Sequence, residues 1–190
     1  FINTIKTQAN IVEDIYFAGG EPLLHLEHYE IMDELDRLNR IDKIFFTYST
    51  NLTNFNYKKY NVIDYWKKMK KCKILVSIDE VDSERLHYIR YPSDLNLITN
   101  NIKILNETFS GTDKYWSPTP TWNILNLHRI KDISEYFYKN NILAHNFDVS
   151  PSWEFDFHNI ILLGPKYLSI TNAPDYWKDS LRKILDDYEE

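Results

Sequence analysis

The stretch Ile15-Tyr16-Phe17-Ala18-Gly19-Gly20-Glu21-Pro22-Leu23-Leu24 is the part of the sequence whose residue types and spacing say most about chemistry. Two glycines after a strand-like run let the backbone turn sharply and let a ligand approach it closely, because neither carries a Cβ. Glu21 puts a carboxylate at the same point, suited to a charge-assisted hydrogen bond from an ammonium group. Pro22 fixes the turn that follows. A tight turn bearing a solvent-exposed acid would look the same in isolation, so the position of this tetrapeptide at a strand end carries much of its weight. Other strand ends carry Thr50-Asn51, Ser77 with Asp79, Asn126, and Ser150-Pro151-Ser152-Trp153. Small and polar residues after apolar strands point to one shared ligand at that face, although turns between helices and strands are polar in any case.

The elements that must hold these residues alternate. Strands are expected at Ile15–Ala18, Lys43–Ser49, Lys73–Ile78, Thr121–Leu125 and Ile142–Val149. Helices are expected at Phe1–Gln8, Glu27–Asn39, Tyr57–Lys71, Asp94–Phe109 and His128–Asn140, with a short one capped by Asp82 or Ser83. Leu95, Ile98, Ile102 and Leu105 form the clearest apolar stripe. Ser110-Gly111-Thr112 stops that helix. Pro174 suits the start of a last helix with Trp177, Leu181, Ile184, Leu185 and Tyr188 on one face. Alternation of this kind predicts an α/β fold of βα repeats around a parallel sheet, which places ligands at the carboxyl ends of its strands. A helix at Phe1–Gln8 before the first visible strand implies a further strand upstream of Phe1, so the chain is expected to begin inside a longer protein.

Composition narrows the function classes. The net charge of −6 argues against a nucleic-acid binder with a broad basic surface. The one basic run, Lys67, Lys68, Lys70, Lys71 and Lys73, reads as the solvated face of a helix. No apolar run approaches the roughly 20 residues of a membrane span, and no signal peptide is visible. The single cysteine, Cys72, excludes a disulfide framework within the chain and fits a reducing, cytoplasmic compartment. It reads as a buried structural thiol, and one thiol cannot ligate a four-iron cluster. Among six histidines only His25 and His28 are closely spaced, and they lack further ligands nearby. Trp153, Phe155 and Phe157 alternate as core packing in a strand would, with adenine stacking as the other use.

On the Gly19-Gly20-Glu21-Pro22 strand end the sequence resembles the radical S-adenosylmethionine (SAM) superfamily. Tyr48-Ser49-Thr50-Asn51 resembles the family's third strand end, and Val76-Ser77-Ile78-Asp79 is similar to its fourth. His87-Tyr88-Ile89-Arg90, before the helix that contains Asn100-Asn101-Ile102, looks like the family's arginine-bearing helix. Trp122-Asn123-Ile124-Leu125-Asn126 falls where the fifth strand should be. Gly164-Pro165-Lys166-Tyr167-Leu168-Ser169-Ile170 resembles the region after the barrel in members with a SPASM or twitch extension. Two features depart from the pattern: the Cys-x-x-x-Cys-x-x-Cys motif is absent, and Glu80 stands where the family usually has glycine.

The resemblance implies a partial parallel βα barrel over residues 1–158, with its first strand missing, and a C-terminal extension, the start of a twitch-like region, over 159–190. It implies two cofactors, SAM and a [4Fe–4S] cluster whose ligands lie upstream of Phe1. Reductive cleavage of SAM would give methionine and a 5′-deoxyadenosyl radical that abstracts a substrate hydrogen. Gly19, Gly20, Glu21 and Pro22 would meet the SAM ammonium. Arg90 would meet the carboxylate, in a planar fork that lysine could not mimic. Ser77 and Asp79 would hold ribose hydroxyls, and Asn51 and Asn126 would line the pocket. A surface ion pair with Glu84 or Asp94 is the other use of Arg90. The implied partners are SAM, an external electron donor and, by analogy with the twitch-like tail, a peptide or protein substrate, with no nucleic acid and no membrane. The alternative is a non-catalytic SAM- or nucleotide-binding barrel that has lost its cluster. A third reading is an unrelated barrel enzyme.

Overall fold

The computed structural model describes residues 2–140, 142, 160–162 and 164–189. The chain begins with α1 (Ile2–Gln8) and β1 (Asp14–Phe17), followed by a 3-10 turn at Pro22–Leu24 and α2 (Leu26–Arg37). Then come β2 (Phe45–Thr50), a hairpin of β3 (Asn56–Tyr57) and β4 (Tyr60–Asn61), α3 (Val62–Lys68) and β5 (Lys71–Val76). Next are α4 (Ser83–Ile89), α5 (Leu95–Phe109), β6 (Lys114–Pro118), β7 (Thr121–Trp122), a 3-10 turn at Leu127–Arg129 and α6 (Ile130–Lys139). The last elements are β8 (Ile160–Ile161), two 3-10 turns at Lys166–Leu168 and Ile170–Asn172, and α7 (Asp175–Glu189).

The main sheet has the order β1-β2-β5-β6, and every neighbouring pair is parallel. With helices as the crossovers, this is the expected partial βα barrel. Register explains the core. Ile15, Phe46, Cys72 and Lys114 lie side by side, as do Phe17, Tyr48, Ile74 and Trp116. Because side chains alternate along a strand, each row shares one face. Tyr48 meets His28 of α2 and Trp66 of α3 edge-on, at ring-centroid distances of 5.4 Å each, so this is the helix-covered face. Tyr48, Trp66 and Trp116 are fully buried there. On the opposite face Tyr16, Thr47, Lys73 and Tyr115 are aligned, and none of them is buried.

Helix ends follow local chemistry. Asp82 caps α4 by accepting from the Arg85 amide at 3.0 Å, and Asp94 caps α5 by accepting from Leu97 at 3.1 Å. Leu95, Ile98, Ile102, Leu105 and Phe109 are the buried stripe of α5. Gly111, at φ 75°, turns the chain after it.

Three sequence expectations are corrected. The helix expected over Tyr57–Lys71 starts at Val62, because Asn61 caps it and Lys58, at φ 53°, turns the hairpin before it. The basic run therefore does not form one helical face: Lys67 and Lys68 end α3, while Lys71 and Lys73 lie in β5. The strand expected over Thr121–Leu125 covers only Thr121–Trp122, and it pairs with β8 outside the main sheet. The sheet strand is instead Lys114–Pro118, whose polar residues and terminal proline hid it; proline is tolerated there because β6 is an edge of the described sheet. Most of the strand expected at Ile142–Val149, the Ser150–Trp153 strand end and the Trp153, Phe155, Phe157 alternation lie outside the described residues. Among the described residues no helix is long and apolar enough to cross a membrane.

Candidate functional site

Parallel pairing brings the carboxyl ends of β1, β2, β5 and β6 to one edge, and the expected site residues gather there as one hydrogen-bonded chain. It starts at the turn after β1. Gly19 and Gly20 have φ of 84° and 57°, the left-handed region that favours glycine. A Cβ on Gly20 would come within 3.3 Å of His25 Nε2, whereas one on Gly19 would meet nothing within 4 Å. The turn is thus tight on one side and open on the other.

Glu21 caps the Pro22–Leu24 turn. Its Oε1 accepts from the Leu23 amide at 3.2 Å and from Thr50 Oγ1 at 2.6 Å, and its Oε2 accepts from the Asn51 amide at 2.6 Å. Thr50 in turn accepts from the Leu52 amide at 2.9 Å. A carboxylate offers about four acceptor positions, so one remains, on Oε2. None of the salt bridges among the described residues involves Glu21, so no described cation pairs with it. Tyr29 supports the turn from below by donating to the Leu23 carbonyl at 2.9 Å. Its ring stacks with those of Tyr60 and Tyr57, at 4.7 and 5.8 Å. Burial pushes the Tyr29 phenol up to about 12, with Glu21 and Tyr57 beside it adding to the shift.

In α2, packed against Phe17 and Tyr48 of the sheet, His28 is 3% exposed and its Nε2 lies 3.0 Å from the Tyr48 hydroxyl. Burial lowers its pKa to about 4, so the ring is neutral. Nδ1 has no partner. The tautomer protonated on Nε2 satisfies every proton, since His28 then donates to Tyr48 and Tyr48 donates to Met32 Sδ at 3.8 Å.

Arg90, just past the end of α4, joins the two sides of the edge. Its Nε and Nη2 donate to Asn51 Oδ1 at 3.1 and 2.9 Å, and its Nη1 donates to Asp79 Oδ2 at 2.5 Å. The ion pair is thus with Asp79, in place of the alternative partners Glu84 and Asp94. Three of five guanidinium N–H groups are used, leaving two. Asp79 also accepts from the Thr121 amide at 2.7 Å, and its own carbonyl accepts from Asn126 Nδ2 at 2.8 Å. Asn126, fully buried, does not end a strand; it precedes the Leu127–Arg129 turn and knits the loop together, accepting from the Asn123 amide at 2.8 Å and donating to Thr121 O at 3.0 Å. Ser77 lies one residue beyond β5, half-buried, and its amide bonds the Thr50 carbonyl at 2.9 Å. Its hydroxyl makes no side-chain hydrogen bond of its own among the described residues.

Sequence reasoning missed the role of Glu80. Its carboxylate is completely buried and accepts from the Val81 and Asp82 amides at 2.8 and 3.3 Å, from Arg85 Nε at 3.1 Å and from Arg129 Nε at 3.3 Å. Arg85 Nη2 also reaches the Leu125 carbonyl and His128 Nε2, at 3.0 and 3.2 Å. The His128 pKa is lowered by burial and then by the two arginine charges. The only sequence signal was that Glu80 departs from the glycine of the family pattern; the 49-residue separation of Glu80 and Arg129 left none. A cavity of about 320 Å³ opens between α4 and Leu125, lined by Glu84, Arg85, Tyr88 and Ile89.

Cys72 faces the helix-covered side, fully buried, and burial pushes its thiol well up. Among the described residues no group of three or more His, Cys, Asp or Glu is placed to hold a metal ion.

No curated protein matches the chain. The family model of the radical SAM superfamily matches residues 1–136, a span that includes the four-stranded parallel sheet and every residue of the hydrogen-bonded edge. With more than half of its length matched, the chain belongs to the radical SAM superfamily.

Proposed function

We propose that the edge formed by Glu21, Asn51, Ser77, Asp79, Arg90 and Asn126 binds SAM for reductive cleavage to a 5′-deoxyadenosyl radical. The single observation that carries this reading is the pairing of an unneutralised carboxylate, Glu21, with an arginine that still has two free N–H groups. An amino-acid head group presents the complement, an ammonium and a carboxylate. The donor set therefore fits SAM: Glu21 Oε2 has one acceptor position for the ammonium, and Arg90 has a pair of donors for the carboxylate. The open side of Gly19 leaves room for close approach. Ser77, with its uncommitted hydroxyl, and Asp79 are the ribose contacts. Asn51 and Asn126 act mainly by orienting Arg90 and the loop at Asp79.

The family's [4Fe–4S] cluster, when bound, supplies the electron for SAM cleavage; the described residues of this chain offer no ligand set that fits it. What this chain contributes is orientation. Thr50 and Asn51 hold the Glu21 carboxylate still, and Arg90 links it to Asp79 across the sheet edge. We assign residues 1–158 to the partial barrel core and 159–190 to a twitch-like extension, with a peptide or protein as the hydrogen donor and an external reductant in the cytoplasm. The alternative reading is a SAM-binding domain without catalysis, and SAM turnover by the full-length protein separates the two.

In the full-length protein under anaerobic reduction, SAM should yield 5′-deoxyadenosine and methionine. Arg90→Lys should weaken SAM binding, because a point charge replaces the fork. SAM binding without cleavage supports the second reading, and no SAM binding at all contradicts both.

A further inference from the structure

Glu80 is a fully buried carboxylate at the point where the family pattern has glycine, and it faces two arginines from different parts of the chain. We propose that Glu80, with Arg85 and Arg129, is a positioning clamp for the nucleoside half of the site: it sets affinity for the adenosine portion of SAM through Asp79 and Asn126. This inference rests on the SAM reading above.

The bonding pattern leads to that role. Glu80 accepts from the amides of Val81 and Asp82, which fixes the loop between Asp79 and the cap of α4. Arg129 ties the same carboxylate to the start of α6. Arg85 ties it to the first turn of α4 and, through the Leu125 carbonyl, to the loop that contains Asn126. That loop grips Asp79 twice, through Thr121 N on its carboxylate and Asn126 Nδ2 on its carbonyl. Asp79 is therefore held by a segment whose own position depends on Glu80. A glycine at position 80 could reach neither arginine. An amide in place of the carboxylate would have one acceptor oxygen and would turn N–H donors toward guanidinium donors, so the clamp would slacken even with its volume preserved. Among the described residues the Glu21 turn shares no hydrogen bond with Glu80, and Arg90, which touches Asp79, is held independently by two bonds to Asn51, so the methionine half should change less than the nucleoside half.

The test divides SAM into fragments. Calorimetric affinities for 5′-methylthioadenosine and for L-methionine are measured on the full-length protein, alongside its thermal unfolding. Glu80→Gln should weaken 5′-methylthioadenosine by roughly tenfold while methionine stays within about twofold. Arg129→Lys, which keeps the charge and loses the fork, should give a smaller loss on the same fragment. It carries the comparison if Glu80→Gln does not fold. Glu21→Gln should give the reverse pattern. Folded variants with wild-type affinity for both fragments overturn the clamp, as does an equal loss on both. Wild-type protein that binds neither fragment nor SAM overturns the SAM reading itself.

Discussion

Glu21 and Glu80 each hold one half of the same sheet edge, and they do so by opposite means. Glu21 is partly exposed and held by neutral donors alone: two backbone amides and the Thr50 hydroxyl. Glu80 is sealed from solvent and faces two arginines as well as two amides. A charge with cations of its own is satisfied inside the fold, and a further cation gains little from it. A charge held only by dipoles keeps its field, and a cationic ligand can still profit. On the proposed reading, the half that would receive an ammonium is distinguished from the half that braces by its lack of a counter-ion among the described residues.

The largest effect that would sharpen this contrast is on stability. Removing Glu80 leaves two amides without an acceptor and two arginines without their carboxylate; because Arg85 and Arg129 are 43% and 27% exposed, the cost falls at the low end of the about 3–5 kcal/mol of a fully buried pair. Glu80→Ala should lose that much in urea unfolding of the full-length protein. Glu21→Ala should lose only about 1–3 kcal/mol, the penalty of unmaking neutral hydrogen bonds at a half-buried position. Equal losses would break the comparison.

This division was only half legible in the sequence. The Glu21 half lies in one contiguous stretch, where two glycines, an acid and a proline follow a strand, and local turn chemistry suffices to read it. Asn51, Asp79 and Arg90 were legible as strand-end and helix-end residues, but their mutual bonds depend on β1, β2 and β5 being adjacent, which only the sheet order decides. The Glu80 half is non-local: its Arg129 lies in another βα unit, and no periodicity links the two. The misplaced fifth strand has a similar cause. Lys114 is buried on the helix-covered side with its ammonium over the Phe109 ring, an environment made by α5 and invisible in a segment that reads as polar.

Acid should act through the core beneath the sheet. His28, packed against Phe17, Tyr29 and Tyr48, is neutral, with its pKa lowered to about 4 by burial. Above its ordinary value near 6.5 it costs nothing. Between 6.5 and about 4 the unfolded chain binds a proton that the folded chain refuses, so stability falls as pH falls. The 2.5-unit gap corresponds to on the order of 3 kcal/mol. Unfolding free energies at pH 7 and pH 4 should differ by that much more in the wild type than in His28→Leu, which has no ring to titrate. A His28→Leu profile parallel to the wild type would remove the histidine from the account.

The most direct measurement is SAM affinity of the full-length Glu21→Gln variant beside the wild type, with unfolding monitored in parallel. Glutamine keeps the shape of Glu21 and most of its hydrogen bonds but removes the uncompensated charge. A loss of about 1.5–3 kcal/mol in binding, roughly ten- to a hundredfold, is expected with little change in stability. Wild-type affinity in a folded Glu21→Gln protein would contradict the assignment of this carboxylate as the ammonium site.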